Sequence, residues 1–125
     1  IEEIDPDTLR SEIFEVMNYW GEHILEDPSI YNNRFYQGFI ILNYCRMLHD
    51  LLRGYPGSKQ EGAAWAKSKL DRKWVDLIDA SWDCRPDPAT QVREPADPLT
   101  YDRTLQFLMY ILEESKEVYD NENCD

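Results

Sequence analysis

Arg46 interrupts a strongly apolar segment, standing between Cys45 and Met47 shortly after Phe39-Ile40-Ile41-Leu42. A guanidinium in such a place needs a partner, because buried cations are rarely left alone. The partner is either one of the chain's own carboxylates or an anionic ligand. Lys59 is the second misfit. It follows Gly57-Ser58 and falls in the first turn of a helix, where the helix dipole slightly disfavours a cation. A Gly-Ser turn ahead of a helix also offers free amides to an anion. Together the two cations suit a polyphosphate, since Arg supplies a fork of donors and Lys a point charge. Trp20, followed by Glu22, His23, Glu26 and Asp27, reads in two ways. It is a core indole ahead of a solvated acidic helix end, or an aromatic plate beside carboxylates that would hold a cationic, sugar-like ligand.

Self-contained catalysis has no comparable signal. The sequence lacks G-x-S-x-G, H-E-x-x-H, a P-loop and G-x-G-x-x-G. Its two histidines, His23 and His49, lie in no nucleophile–base pattern. Cys45 and His49 share a helix face four residues apart, but two ligands do not make a metal site. Asp5-Pro6-Asp7 suits a helix start better than a metal. No catalytic residue and no metal ligand is therefore assigned. The three cysteines, Cys45, Cys84 and Cys124, are odd in number and form no C-x-x-C. Free thiols in a reducing, cytoplasmic setting are expected.

The 125 residues carry 25 Asp and Glu against 13 Lys and Arg, a formal charge of −12. A nucleic-acid partner is not expected, because displacing counterions from phosphate needs a cationic footprint. Aromatic residues at 13% supply a core and argue against disorder. The length fits one domain. No apolar run approaches the roughly 20 residues of a membrane span, and no leader-like segment opens the sequence, so no membrane partner is expected.

Helical periodicity runs throughout, and the expected fold is all-α, a single bundle of about five helices. Asp5-Pro6 opens the first helix; Leu9, Ile13, Val16, Met17, Trp20 and Ile24 recur along it, and Pro28 stops it. The second runs from about Arg34 to Arg53 with Phe35, Phe39, Leu42, Cys45, Leu48 and Leu52 inward, stopped by Gly54. Its apolar middle makes it the central helix. Ser58-Lys59-Gln60-Glu61 is a capping box for a third helix from Gly62 to about Leu70, packing Ala63, Trp65, Ala66 and Leu70. A fourth covers about Lys73 to Trp82, burying Trp74, Leu77, Ile78 and Ser81. Arg85 to Asp97, with three prolines, reads as a surface loop. Asp97-Pro98 starts the last helix, with Leu105, Leu108, Ile111, Leu112 and Val118 inward and a fraying tail from Asp120 to Asp125.

The string Leu42-Asn43-Tyr44-Cys45-Arg46-Met47-Leu48, then Gly54, then Ser58-Lys59-Gln60-Glu61-Gly62-Ala63-Ala64-Trp65-Ala66 resembles the C-terminal helical domain of the aminoglycoside (streptomycin/spectinomycin) adenylyltransferases. Specific motifs span residues 42 to 66, including the thirteen-residue spacing from Arg46 to Lys59; the opening and closing helices fit more loosely. The resemblance implies transfer of AMP from ATP with Mg2+ onto a hydroxyl of a cationic acceptor, an antibiotic-resistance activity. It also implies an N-terminal nucleotidyltransferase domain as partner, carrying a Gly-Ser turn, metal-binding aspartates and a base. No G-S followed by D-x-D occurs in these residues, so the chain alone is expected to be inactive and to hold neither ATP nor Mg2+ as cofactors. It is then either a C-terminal half or a lone descendant that kept the fold. Arg46 and Lys59 match triphosphate ligands, and Trp20 a tryptophan of the drug pocket. Glu22 and Asp27 are the nearest counterparts of the family's drug-binding carboxylates, although Glu22 to Arg34 includes extra residues. Tyr36 stands where the resemblance implies an acid, which argues against streptomycin. The alternative is a non-enzymatic helical interaction module, such as a homodimer, that retains the fold. A third resemblance, to helical ribonucleases paired with minimal nucleotidyltransferases, ranks last. Those need an Arg with a His four to six residues on, and Arg46 and His49 are three apart.

Overall fold

The computed structural model describes residues 5–83 and 97–123, and among them five α-helices and no strands form an all-α bundle. They are α1 (Pro6–Glu26), α2 (Arg34–Arg53), α3 (Lys59–Lys69), α4 (Val75–Asp83) and α5 (Pro98–Asn123). Two short 3-10 turns, Pro28–Tyr31 and Arg72–Trp74, lie before α2 and α4. The expected loop from Arg85 to Asp97 lies outside the described residues except at its end.

The helix boundaries follow local chemistry. Asp5 accepts the Thr8 amide at the start of α1, with Pro6 at the first helical position. Asn33 accepts the Tyr36 amide ahead of α2, which ends on Gly54 at φ 79°, a left-handed conformation that glycine adopts without a Cβ clash. The Ser58–Glu61 capping box forms in both directions. Because Ser58 caps, α3 begins at Lys59, three residues before Gly62. α5 is helical as far as Asn123, and the end of the expected fraying tail, Cys124 and Asp125, lies outside the described residues.

α2 is central, packing against α1, α3, α4 and α5. Its buried face carries Ile40, Ile41, Leu42, Tyr44, Cys45, Leu48 and Leu51, with Gln37, His49 and Asp50. The expected inward set was rotated by part of a turn. Phe39 is 46% exposed and Leu52 37%, and Phe35 is only half-buried. Residues at i and i+4 lie on one face, so Ile41, Cys45 and Leu48 make the core stripe, while Phe39 sits on another stripe that faces an open groove. Trp74, closing the second 3-10 turn, and Leu77, Ile78 and Ser81 on α4 are buried as expected. On α5, Leu108 and Ile111 are joined by fully buried Phe107, Thr104 and Ser115, while Leu105, Leu112 and Val118 are half-buried against the core.

Polar clasps hold the helices in register. The Tyr44 hydroxyl donates to the Met17 carbonyl at 2.8 Å, tying α2 to α1, and burial raises its pKa above the usual phenol range. Arg10 Nε donates to the Leu51 carbonyl at 3.1 Å, satisfying one of the open carbonyls at the end of α2. Arg103 reaches Asp76 with two guanidinium nitrogens at 2.9 Å and the Lys73 carbonyl at 2.7 Å, joining α5 to α4.

Candidate functional site

A groove of about 430 Å³ runs between α1 and α2. From α1 it takes Val16, Trp20 and Ile24, four residues apart and so on one face. From α2 it takes Tyr36, Phe39, Ile40, Asn43, Tyr44, Arg46 and Met47. The 3-10 turn between the helices closes one end with Ile30 and Tyr31. Aromatic rings brace one another there: Tyr31 meets Tyr36 edge-on at 5.0 Å, and Tyr36 meets Phe39 edge-on at 5.9 Å.

Trp20 is not a core residue. It is 49% exposed, and its indole forms part of the groove wall. Arg46 lies on the same α2 stripe as Tyr36, Phe39 and Asn43, which explains how a guanidinium enters an apolar helix: its stripe faces the groove and not the core. Lys59 stands with its Nζ 5.6 Å from the centroid of the Phe39 ring, a cation–π approach that brings it to the groove's edge. Neither Arg46 nor Lys59 forms an ion pair with a carboxylate among the described residues. The internal ion pair that sequence left open for Arg46 does not form among the described residues.

Glu22 and Asp27 do not share this groove. Glu22 is two residues past Trp20, about 200° round the helix, and is exposed. The Asp27 carboxylate accepts the Ser29 hydroxyl at 2.6 Å, and its charge helps to raise the pKa of Tyr101 on α5 behind the effect of burial. Thus Trp20, Tyr36 and Arg46 line the groove, Lys59 reaches its edge through Phe39, and Glu22 and Asp27 stand apart.

The feature that sequence reasoning missed is the device holding the α2–α3 connection. His49 and Asp50 are buried, at 5% and 7% exposure. Asp50 Oδ1 lies 2.9 Å from His49 Nδ1 and accepts the Gly57 amide at 2.9 Å. The His49 ring packs edge-on against Tyr55 and Trp65. A Cβ on Gly57 would come within 2.9 Å of the imidazole, so the turn has room only for glycine. Two adjacent polar residues late in α2, followed by Y-P-G-S, were the available signal. His49 is therefore occupied in an internal contact and lies off the groove, which gives a ribonuclease-like Arg–His pair no footing.

α3 approaches α2 closely where Arg46 leaves the helix. A Cβ on Gly62 would fall 2.6 Å from the Arg46 Cα and 2.9 Å from its backbone nitrogen. The two backbones thus touch at the base of the side chain that bears the charge. Cys45, on the opposite face of α2, is buried, and burial pushes its thiol up to about 12. Among the described residues no group of three or more His, Cys, Asp or Glu could hold a metal ion, and no helix is long and apolar enough to cross a membrane.

Compared with known families, residues 1–100 match the one described as aminoglycoside adenylyltransferase, C-terminal domain. No curated protein and no solved structure gives a match.

Proposed function

Because the chain belongs to the family of aminoglycoside adenylyltransferase C-terminal domains, we propose that it serves as the substrate- and triphosphate-contacting domain of an enzyme that moves AMP from ATP to an acceptor hydroxyl. The observation that carries this reading is the pair of cations: Arg46 and Lys59, from different helices, border one groove with no carboxylate partner among the described residues. In such a transfer the acceptor oxygen bonds to the α-phosphorus and the bond to the bridging oxygen breaks. Pyrophosphate leaves with the negative charge. Arg46 and Lys59 are suited to hold that charge, and catalysis of phosphoryl-type transfer is mainly positioning and charge stabilisation. Trp20 and Tyr36 are suited to wall the acceptor.

ATP supplies the transferred group. Magnesium would neutralise further charge, but the described residues contain no cluster to hold it. Metal ligands and a base are assigned to a second, nucleotidyltransferase domain. The chain by itself is accordingly expected to show no transfer. A buried thiol such as Cys45 fits a reducing, cytoplasmic setting.

The test is Lys59→Ala in an enzyme containing both domains. Turnover should fall about 10²-fold, the size of losing one well-placed charge contact, while the melting temperature stays nearly fixed because Lys59 has no ion pair among the described residues. Intact turnover with a large stability loss would overturn the reading. A second reading, a non-enzymatic interaction module, is favoured by the half-exposed apolar residues Val16, Trp20, Ile30 and Phe39 along the groove. Sedimentation giving a dimer that Trp20→Ala dissolves would support it.

A further inference from the structure

We infer that Phe39 is the positioning residue of Lys59: its ring holds the ammonium at the rim of the groove, where the triphosphate would be met. The inference rests on the reading of Lys59 as a triphosphate contact, and it adds a residue that sequence reasoning had turned inward. Lys59 Nζ stands 5.6 Å from the centroid of the Phe39 ring, inside the roughly 6 Å over which a ring face attracts a cation. Phe39 is 46% exposed, so its ring is open to that approach. It is also braced by its neighbours on α2. Phe35 stacks on it at 5.7 Å with the planes 27° apart, and Tyr36 meets it edge-on at 5.9 Å.

Lys59 needs such a guide. The Ser58–Glu61 capping box fixes its backbone at the start of α3, but a lysine side chain is a flexible stem with many rotamers. The helix gives it no direction either, because the dipole disfavours a cation in the first turn. A neighbouring carboxylate would direct the ammonium strongly but would also cancel the charge that an anion must meet. A ring attracts through its quadrupole and is itself neutral, so it places the ammonium and leaves the charge uncancelled. The direction is the useful one. Phe39 shares its α2 stripe with Asn43 and Arg46, and all three line the groove. The ring therefore sets Lys59 on the side of the groove from which the Arg46 guanidinium enters.

Two measurements test this. In the NMR spectrum of the chain, the Phe39 ring current should shift the ε-methylene protons of Lys59 upfield, and Phe39→Leu should return them to the ordinary lysine range. Unshifted protons in the wild type would overturn the contact. The second measurement is a double-mutant cycle in an enzyme containing both domains. Phe39→Leu should lower kcat/KM for ATP about fivefold, the scale of one exposed cation–π contact, and Phe39→Tyr, which restores a ring face, should recover most of that loss. In a Lys59→Ala background Phe39→Leu should add no further loss. Equal losses in both backgrounds would make the ring a groove wall acting without Lys59, and the positioning role would fall. If Lys59→Ala lowers turnover while Phe39→Leu does not, only the role of Phe39 is lost. If Lys59→Ala leaves turnover intact, the triphosphate reading falls and takes that role with it.

Discussion

The Asp50 carboxylate accepts the Gly57 amide at 2.9 Å, so the last turn of α2 is tied directly to the turn that begins α3. Without that carboxylate the half-buried Gly57 amide and the buried His49 imidazole would both lose their partner. Asp50→Ala should therefore destabilise the chain by about 1–3 kcal/mol, the cost of leaving such groups unsatisfied. Asp50→Asn, which keeps an acceptor oxygen, should lose less. Urea unfolding measures both, and amide exchange at Gly57 should accelerate in the alanine variant ahead of exchange in the core of α2. Unchanged exchange at Gly57 would show that the turn is held by other means.

Gly62 and Arg46 give a second prediction. A Cβ at 62 would be 2.6 Å from the Arg46 Cα, which belongs to rigid backbone and cannot yield as a side-chain tip would. Gly62→Ala should cost about 1–3 kcal/mol by overpacking, although alanine is the better helix former. The neighbouring exposed Ala64 supplies the control: Ala64→Gly should cost only about 1 kcal/mol by helix propensity. If Gly62→Ala is neutral, α3 stands farther from α2 than described.

Cys45 predicts behaviour in alkali. Burial raises its thiol from 9.0 to about 12 in the folded chain. A folded pKa raised above the unfolded one means that the unfolded state loses its proton first as pH climbs. The stabilisation is complete below pH 9 and declines between pH 9 and pH 12, with a limiting slope near 1.4 kcal/mol per pH unit. Denaturant midpoints measured from pH 8 to pH 11 should fall, and more gently in Cys45→Ala. In a variant with Cys84 and Cys124 replaced by serine, a thiol reagent at pH 7 should label Cys45 only on unfolding.

Asp76 and Arg103 predict a smaller effect of opposite sign. The Arg103 hydrogen bonds lower the Asp76 pKa below the usual carboxylate range. The contribution is present at neutral pH and lost as pH falls through the lowered value. Because the Asp76 side chain is 73% exposed, the loss in Asp76→Asn should stay under about 1 kcal/mol. Melting temperatures at pH 7 and pH 3 should converge for wild type and variant at the lower pH.

Most of the bundle was legible because its signals are local. Prolines 6, 28 and 98, Gly54 and the Ser58–Glu61 box set helix ends through backbone chemistry that needs no tertiary information. The rotation of α2 was not legible. Phe39 and Leu52 are as apolar as Ile41 and Leu51, and periodicity alone does not say which stripe meets other helices when nearly every position is hydrophobic. For the same reason Trp20 kept two readings until its exposure was known. Arg46 and Lys59 stood out because a cation in an apolar helix and a cation at a helix start both contradict local preference. His49 and Asp50 gave no such contradiction, since a polar pair near a helix end is ordinary on a solvated surface.

Clamped at Asp50 and seated at Gly62, α2 and α3 leave little freedom between the points where Arg46 and Lys59 emerge. On the proposed triphosphate reading, an anion that engages one of these cations would meet the other with much of the ordering entropy of association already spent during folding. Loosening that joint should weaken anion binding even where both charges are retained.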